Sequence, residues 1–340
     1  MTQFVSGLNI ENKWLITGVA GFIGSNLLQF LLESNQEVIG VDNFITGKNL
    51  NLEEVQRSVN KEQWKKFKFI KGDIRDYEIC RLVCEGGVDC ILHQAALGSV
   101  PRSILDPIAT NENNVSGFLN ILVAAQKAGV RKVVYASSSS VYGDNFSLPK
   151  VESTIGTPLS PYAITKLANE IYASNFTVLH GMQTVGLRYF NVFGRRQDPY
   201  GQYSAVIPRW IDALINGKQV IINGDGSTTR DFCYIENVIQ ANILAGLSKS
   251  MNISGQVFNI ACGESISLKE LYSVLVNDLK KHGVSIASEP IYGEFREGDI
   301  RVSLASIQKA RDLLNYNPKV DVRSGILATI KYCIDSKNNV

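Results

Sequence analysis

The 340-residue chain lacks several features that mark specialised classes of protein. No stretch approaches the roughly 20 apolar residues of a membrane-spanning helix, and Met1 to Lys13 has neither the basic start nor the apolar run of a signal peptide. Acidic and basic residues nearly cancel, at 32 and 34, so the formal net charge is +2. This balance excludes the broad field that attracts a nucleic acid or an anionic membrane. We expect a soluble cytoplasmic protein whose partners are small molecules.

Histidine and cysteine are too sparse to indicate a metal site or a disulfide framework. The chain has 3 His and 6 Cys, and the cysteines are scattered. Cys80 and Cys84 share one helix face, but a zinc site needs four ligands and no second Cys or His pair is present. Disulfide frameworks are typical of short secreted chains. The sequence therefore predicts reduced thiols and no metal.

Short β-branched runs alternate with segments of helical periodicity through the first half of the chain. The predicted strands are 14–17, 37–42, 67–70, 89–93, 132–136 and 184–188, and the predicted helices are 22–33, 77–85, 113–128 and 161–180. This alternation predicts an α/β fold with a Rossmann-type doubly wound parallel sheet.

A change in composition after Asn191 predicts a second, smaller domain. Gly, Asn and Pro become denser there and the segments become shorter. We expect a domain built on the parallel sheet over residues 1–190 and a mixed α/β domain, mainly for substrate, over 191–340, with later segments returning to the first domain.

A glycine-rich turn follows the first predicted strand and leads into a helix. Gly18, Gly21 and Gly24 leave room for backbone N–H groups and the helix N-terminus to receive a pyrophosphate. Asp42 ends the second strand, where a carboxylate accepts hydrogen bonds from the adenosine ribose and repels a 2′-phosphate. Asp73 and Ile74 close the third strand, where the adenine edge would lie. These features predict NAD as the cofactor.

A tyrosine and a lysine with helical spacing are the candidate catalytic pair. Tyr162 and Lys166 are four residues apart, so their side chains project from the same helix face. A buried ammonium and the positive nicotinamide ring would lower the pKa of the phenol toward neutrality, so that it could take a proton from a sugar hydroxyl. The serine cluster 137–140 ends the fifth strand, at the sheet edge where ligands bind.

These motifs, in this order, resemble the extended short-chain dehydrogenase/reductase family over nearly the whole chain. Further strings are similar to those of UDP-N-acetylglucosamine 4-epimerases of bacterial surface-polysaccharide pathways: 97–103, 188–194, 204–208, 223–226 and 230–232. The resemblance implies NAD contacts from Gly18, Gly21, Phe22, Ile23, Gly24, Asp42, Asn43, Asp73, Ile74, Gln94, Ala95, Ala96, Tyr162 and Lys166.

The resemblance also implies a mechanism of 4-epimerisation. Tyr162 would take the proton from the sugar 4-hydroxyl while NAD takes the hydride, and the 4-keto sugar would turn its other face before both return. Lys166 would hold the nicotinamide ribose. Ser138 would hydrogen-bond the reacting oxygen, with Ser139 as the second candidate for this role. Sugar dehydratases and decarboxylases carry an acid just after that hydroxyl, whereas here Ser139, Ser140 and Val141 follow.

The nucleotide sugar would be held by residues spread along the chain. In similar epimerases two arginines bind the diphosphate, at the positions of Arg230 and Arg296, and an Asp meets the uridine ribose at the position of Asp299. The alternative for the arginines is a salt bridge to Asp231 or Glu297. Further contacts implied by the resemblance come from Ser99, Ser138, Ser139, Asn191, Ala205, Val206 and Asn223.

Two positions bear on the choice of substrate. Ser303 stands where similar epimerases close the sugar pocket, and its small size leaves room for a 2-acetamido group. Ile221 stands where close relatives tend to have Tyr, so we expect no aromatic contact with uracil from this position.

Three functions are compatible with these features. The first is a 4-epimerase that interconverts UDP-GlcNAc and UDP-GalNAc, and the second is a UDP-N-acetyl-hexosaminuronic acid 4-epimerase. The third is a non-catalytic NAD-binding regulator, which would ordinarily lose the Tyr162 and Lys166 pair. The resemblance also implies a homodimer through the helices near 113–128 and 161–180.

Overall fold

The computed structural model describes residues 11–200, 204–286, 289–295 and 301–338. The strands are β1 (Lys13–Thr17), β2 (Glu37–Asp42), β3 (Phe67–Lys71), β4 (Cys90–His93), β5 (Lys132–Ser138), β6 (Gln183–Tyr189), β7 (Val192–Phe193), β8 (Ile221–Asn223), β9 (Thr229–Arg230), β10 (Cys233–Tyr234), β11 (Gln256–Ile260), β12 (Ile266–Ser267) and β13 (Ile291–Gly293).

The helices follow the same chain order. They are α1 (Phe22–Glu33), α2 (Asn49–Ser58), α3 (Lys61–Lys65), α4 (Tyr77–Cys84), α5 (Val100–Leu105), α6 (Pro107–Asn111), α7 (Gly117–Lys127), α8 (Pro161–His180), α9 (Val206–Ile215), α10 (Ile235–Leu247), α11 (Leu268–Lys281), α12 (Gln308–Leu314) and α13 (Val322–Asn338). None of the described helices is long and apolar enough to cross a membrane.

Seven parallel strands form the central sheet, in the order β11-β6-β5-β4-β1-β2-β3. The sheet is buried on both faces, because Trp14 and Ile16 of β1 join one apolar core while Leu15 joins the other. The order reverses between β1 and β4, which is where ligands bind in folds of this type. The predicted Rossmann-type fold is confirmed.

The segments after residue 190 divide between this sheet and three small ones. The strand β11 pairs in parallel with β6 and forms one edge of the central sheet. The remaining short strands pair as β7 with β10, β8 with β13, and β9 with β12. The chain therefore crosses from the small sheets to the central sheet and back.

Local signals determine where α8 begins and ends. The Ser160 hydroxyl accepts a hydrogen bond from the Ala163 N–H at 3.2 Å, and Pro161 occupies the first turn. Gly181 ends the helix in the left-handed conformation, with φ of 66°. Observed and predicted bounds therefore agree.

The predicted helix over 113–128 is divided in the structure. A π-helical turn, Glu112–Ser116, precedes α7. Inside this turn Asn114 is fully buried, and its side chain binds both backbone groups of Leu97 and the Thr165 hydroxyl. The π-helical turn thus occurs where the Asn114 side chain is hydrogen-bonded to Leu97 and Thr165, outside its own helix.

The approach of α1 to β1 requires glycine at position 24. A Cβ atom there would clash with the backbone of Gly18 and Val19, whereas nothing lies within 4 Å of a Cβ at Gly98. We expect Gly24→Ala to lower the free energy of unfolding by about 1–3 kcal/mol through overpacking. The matched control Gly98→Ala should change it by less than about 0.5 kcal/mol. Urea unfolding measures both, and equal stability of the two variants would contradict the packing described.

Candidate active site

The glycine-rich turn lies between β1 and α1, against the segment that follows β4. Gly18 has a φ of +70°, and a Cβ there would come within 2.8 Å of the Ala95 nitrogen. Gly21 caps α1 and has no side chain to accept from the first N–H groups of the helix. The turn therefore leaves a helix N-terminus open to an anion, with no side chain in the way.

Asp42 connects the end of β2 to this turn. Its carboxylate is buried and accepts hydrogen bonds from the Ala20 N–H at 2.9 Å and the Phe44 N–H at 2.8 Å. Burial raises the pKa of Asp42, and the backbone hydrogen bonds oppose that rise. The carboxylate keeps lone pairs beyond these two bonds, as a contact with ribose hydroxyls would require.

A cleft at the carboxyl edge of the sheet brings together most of the predicted cofactor residues. It is lined by Gly18, Gly21, Val41, Asp42, Asn43, Ile45, Thr46, Gly72, Ile74, Gln94, Ala95, Ala96, Leu97 and Asn113. Phe22 and Ile23, in the first turn of α1, pack against the apolar core. The prediction that their backbone N–H groups contact the cofactor stays a prediction.

Asp73 lies beside this cleft and supports one of its walls. Its carboxylate accepts from the Asn43 amide at 2.9 Å and from the Arg75 guanidinium at 2.7 Å. The Arg75 hydrogen bond lowers the pKa of Asp73 to about 2, so this group is ionised at neutral pH.

Sequence analysis missed several lining residues, among them Val41, Thr46 and Asn113. Val41 ends β2 next to Asp42, so its position at the sheet edge could have indicated it. Asn113 comes from the π-helical turn, which no local pattern predicted. Gln94 was predicted, but its amide is held by Asn242 and Tyr189, which are remote in sequence.

The serine cluster lies where β5 ends. The Ser138 hydroxyl accepts from the Ser140 N–H at 3.1 Å and from the Ser140 hydroxyl at 3.0 Å, and its side chain hydrogen-bonds that of Tyr162. With both lone pairs of its oxygen engaged, Ser138 donates its own proton to Tyr162. Ser139 begins a 3₁₀ turn, Ser139–Tyr142.

Lys166 is buried one turn after Tyr162 on α8. Its ammonium donates to the Ala136 carbonyl at 2.8 Å and lies 5.9 Å from the centre of the Tyr162 ring. Burial lowers the pKa of Lys166 to about 8, and the Glu170 carboxylate opposes that fall. The predicted grouping of Ser138, Tyr162 and Lys166 at one edge of the sheet is thus what the structure shows.

The expected fall of the Tyr162 pKa toward neutrality does not arise from the protein groups alone. Burial raises the pKa of Tyr162, and the Ser138 hydrogen bond lowers it by less. Desolvation of the phenolate is the larger effect in a site this enclosed.

Of the predicted substrate residues after residue 190, Asn223 and Arg230 lie on the small sheets. Arg230 ends β9, and Asn191 donates its amide to the Asp231 carbonyl at 2.9 Å. The Asp231 carboxylate is buried and accepts from the N–H groups of Cys262, Gly263 and Ala305 at 3.0–3.2 Å. Burial raises the pKa of Asp231 to about 7.

Ser303 is held next to β9 by a backbone hydrogen bond. Its N–H donates to the Thr229 carbonyl at 3.2 Å, beside Arg230, and its side chain is half-buried. Asn223 ends β8, whereas Ile221 at the start of β8 is exposed. Ala205 caps α9 and Val206 begins it. Arg296 and Asp299 lie outside the described residues.

Ser99 occupies a constrained position between the cleft and α5. Its φ is 148°, a backbone conformation that residues other than glycine rarely adopt. Its hydroxyl accepts a hydrogen bond from the Arg102 N–H at 3.2 Å. Among the described residues no three His, Cys, Asp or Glu side chains are grouped as metal ligands.

The residues of the cleft fit a dinucleotide. A Cβ at Gly18 or Gly24 would collide with backbone atoms, so both positions require glycine, and the N-terminus of α1 opens toward the cleft. Asp42 stands at the end of the neighbouring strand. A pyrophosphate at the turn and a ribose at Asp42 match these two features.

Comparison with known proteins agrees with this geometry. The chain is 36% identical to a UDP-glucose 4-epimerase of Mycolicibacterium smegmatis, over 94% of this chain and 98% of that protein. A UDP-N-acetylglucosamine 4-epimerase from Methanobrevibacter ruminantium, in complex with UDP-N-acetylmuramic acid, is 34% identical with a TM-score of 0.86, over 96% of this chain and 99% of that one.

A third relative differs in its substrate. A UDP-glucuronic acid 4-epimerase from Bacillus cereus, in complex with UDP-glucuronic acid and NAD, is 33% identical with a TM-score of 0.83, over 95% of this chain and 99% of that one. Residues 14–261 match the model of the NAD dependent epimerase/dehydratase family. The chain therefore belongs to the NAD-dependent epimerase/dehydratase family, as a relative of nucleotide-sugar 4-epimerases.

Proposed function

We propose that this protein is an NAD-dependent 4-epimerase that interconverts UDP-GlcNAc and UDP-GalNAc. The observation that carries the proposal is the contact of Tyr162 with Ser138, above a buried Lys166, at the sheet edge that also bears the dinucleotide cleft. A proton acceptor beside a hydride acceptor is what reversible oxidation of a secondary alcohol requires.

In this mechanism Tyr162 removes the proton from the sugar 4-hydroxyl and later returns it. Ser138 donates its one proton to the Tyr162 oxygen in this structure, and in the mechanism the hydroxyl would turn to give that hydrogen bond to the reacting oxygen of the sugar. Lys166 is anchored to Ala136 with its ammonium 5.9 Å from the centre of the Tyr162 ring, and a positive charge on this side of the phenol would favour the phenolate. NAD, when bound in the cleft, would supply the acceptor and later the donor of the hydride from the sugar C4, and the positive charge of its ring would further favour the phenolate.

The turn after Ser138 favours epimerisation over elimination. Loss of water from the sugar needs a general acid near the reacting carbon. The three residues that follow are Ser139, Ser140 and Val141, none of which carries a carboxylate. A regulator without catalysis would not require the Tyr162, Ser138 and Lys166 arrangement.

We assign the nucleotide sugar mainly to residues 191–340. Arg230 would bind the diphosphate together with Arg296, and Asp299 would meet the uridine ribose, as the resemblance implies. Ser303 is held by backbone pairing with Thr229, beside Arg230, and we place its side chain against the sugar. Support for an acetamido sugar comes from the small size of Ser303 and from the Methanobrevibacter relative.

A UDP-N-acetyl-hexosaminuronic acid is the second candidate substrate. The Bacillus cereus relative binds a UDP-uronic acid, which shows that a carboxylate at C6 fits this fold. Incubation with UDP-GlcNAc and with its uronic acid, followed by NMR, distinguishes the two. Absence of the 4-epimer from both would overturn both assignments.

An exposed apolar row along α8 supports a homodimer. Ile164, Ile171 and Val178 recur every seven residues and are 57%, 63% and 79% exposed. Three isoleucine and leucine side chains of the neighbouring α5 and α6 are similarly exposed: Ile104, Leu105 and Ile108. A second copy packed on this face would bury the row, as in antiparallel helix bundles.

Removal of the Tyr162 hydroxyl should abolish catalysis and spare the cofactor. We expect Tyr162→Phe to lower kcat about 10²–10⁴-fold, because the proton acceptor is lost. NAD content, measured after acid release, should equal that of the wild type. The control Tyr172→Phe, on the same helix, should keep wild-type kcat. Full activity of Tyr162→Phe would contradict the catalytic role.

Enlargement of residue 303 should change which sugars react. We expect Ser303→Tyr to lose turnover of UDP-GlcNAc and retain turnover of UDP-glucose, because the ring occupies the space for the acetamido group. Ser303→Ala, which leaves that space, should retain both. Product NMR measures the four rates, and unchanged UDP-GlcNAc turnover in Ser303→Tyr would show that the pocket is assigned wrongly.

A charge in the exposed row should separate the subunits. We expect wild-type protein to sediment as a dimer and Ile171→Asp as a monomer at the same micromolar concentration, since a buried unpaired carboxylate opposes association. Leu50→Asp, at an exposed position on α2 that is 65% accessible, should stay dimeric. Monomeric wild-type protein would refute the assembly.

A further inference from the structure

Glu170 is a buried carboxylate that the proposed mechanism does not use. It follows Lys166 by four residues and Tyr162 by eight on α8, so that all three side chains project from one helix face. Its side chain is only 7% exposed. Acidic side chains are seldom buried to this extent unless they have specific partners.

The partners of Glu170 come from two neighbouring strands. The Ser137 hydroxyl, on β5, donates to Oε1 at 2.5 Å. Arg188, on β6, donates from Nε at 2.9 Å and from Nη2 at 2.7 Å, which makes a bidentate ion pair. The pair is buried on both sides, so neither charge is screened by water.

Three consecutive residues of β5 each hold one side chain of α8. The Ala136 carbonyl accepts from Lys166, the Ser137 hydroxyl donates to Glu170, and the Ser138 side chain bonds that of Tyr162. A helix that is attached at three successive turns cannot slide along the strand without breaking all three bonds. Of these three side chains of α8, only that of Glu170 has no part in the proposed reaction.

We propose that Glu170 is a positioning residue, which seats the Tyr162–Lys166 pair on β5 and supplies the negative charge that keeps Lys166 an ammonium. The proposal rests on the function proposed above, because it assigns the pair to catalysis. Glu170 acts through Lys166 and contacts neither the sugar nor the cofactor in this scheme.

The charge balance around Lys166 supports this role. Burial lowers the pKa of Lys166 to about 8, and Glu170 is the group that opposes the fall. The charged and titratable groups that face Lys166 or Glu170 are Tyr162 on α8, His93 on β4, Tyr135 on β5, Arg188 on β6 and Lys309 on α12, and Tyr142 after β5 lies against Arg188. Burial lowers the pKa of His93 to about 3, so it is neutral near pH 8.

Arg188 is in turn held by groups beyond the catalytic helix. It donates from Nη1 to the Glu152 carbonyl at 3.1 Å, and its guanidinium lies 4.9 Å from the centre of the Tyr142 ring. The Tyr142 hydroxyl donates to Asn259 at 2.6 Å. Arg188 therefore holds Glu170 in one orientation, and Glu170 holds α8.

The test compares Glu170→Gln with a matched control in the NAD-loaded protein. Glu54→Gln also removes a carboxylate from a buried arginine, Arg196, but lies on α2, away from β5. Two readouts are used: the alkaline limb of kcat for the UDP-sugar that the wild type converts, and the NMR titration of the Lys166 Cε signal, assigned with Lys166→Arg.

We expect both readouts to move to lower pH by about one unit in Glu170→Gln, because the ammonium loses its counter-charge. A shift of this size lowers kcat about tenfold at pH 9 and about twofold at pH 7. Glu170→Asp, which keeps the charge, should restore most of the wild-type midpoint. Glu54→Gln should leave both midpoints unchanged, whatever it does to stability.

An unchanged Lys166 midpoint in folded Glu170→Gln would overturn the proposal. If Glu170→Gln does not fold, the expected cause is the buried charge of Arg188, which has lost its partner. The double variant Glu170→Gln/Arg188→Met removes that charge. Its Lys166 midpoint should still fall, and a wild-type midpoint there would equally overturn the proposal. The Lys166 titration needs no substrate, so a wild type that converts no UDP-sugar would refute the proposed function and leave this test intact.

Discussion

The contact between α8 and the carboxyl end of β5 is the interaction on which the whole site depends. Small residues on β5, Ala136 to Ser138, let the helix approach closely enough for side chains to reach across. Lys166 then bonds a strand carbonyl, and Tyr162 and Glu170 bond strand hydroxyls. Because the neighbouring strands are parallel, the same edge of the sheet also carries the glycine turn and Asp42, which line the dinucleotide cleft.

Buried carboxylates organise the loops around this edge. Asp42 gathers backbone N–H groups from two segments, and Asp231 gathers them from the segments at 262–263 and 305. Each group accepts several bonds that would otherwise be unsatisfied in a buried turn. A protein with a net charge of +2 can thus form anion sites by local geometry, since the glycine turn presents N–H groups and needs no charged surface.

Much of the fold and of the candidate site could be predicted because the signals are local. The bounds of α1 and α8 follow from a glycine turn, from Ser160 with Pro161, and from Gly181, all within a few residues of the helix ends. The glycine turn, Asp42 and the serine cluster each come at the end of a strand, and residues at strand ends share one edge in any parallel sheet. The π-helical turn could not be predicted, because Asn114 is bound to Leu97 and Thr165, which are remote in sequence.

The sequence by itself determined the order of strands and helices, the glycine turn, the Tyr162 and Lys166 spacing and the family. Periodicity, capping residues and short motifs encode these features within single segments. Only the tertiary structure decided that Ser138 donates to Tyr162, that Asp231 is bound by three backbone N–H groups, and that Glu170 pairs with Arg188 behind Lys166. The physical reason is that burial and pairing join residues that are far apart in sequence, as between Tyr142 and Asn259, which are 117 positions apart, and no local pattern specifies which of them will meet.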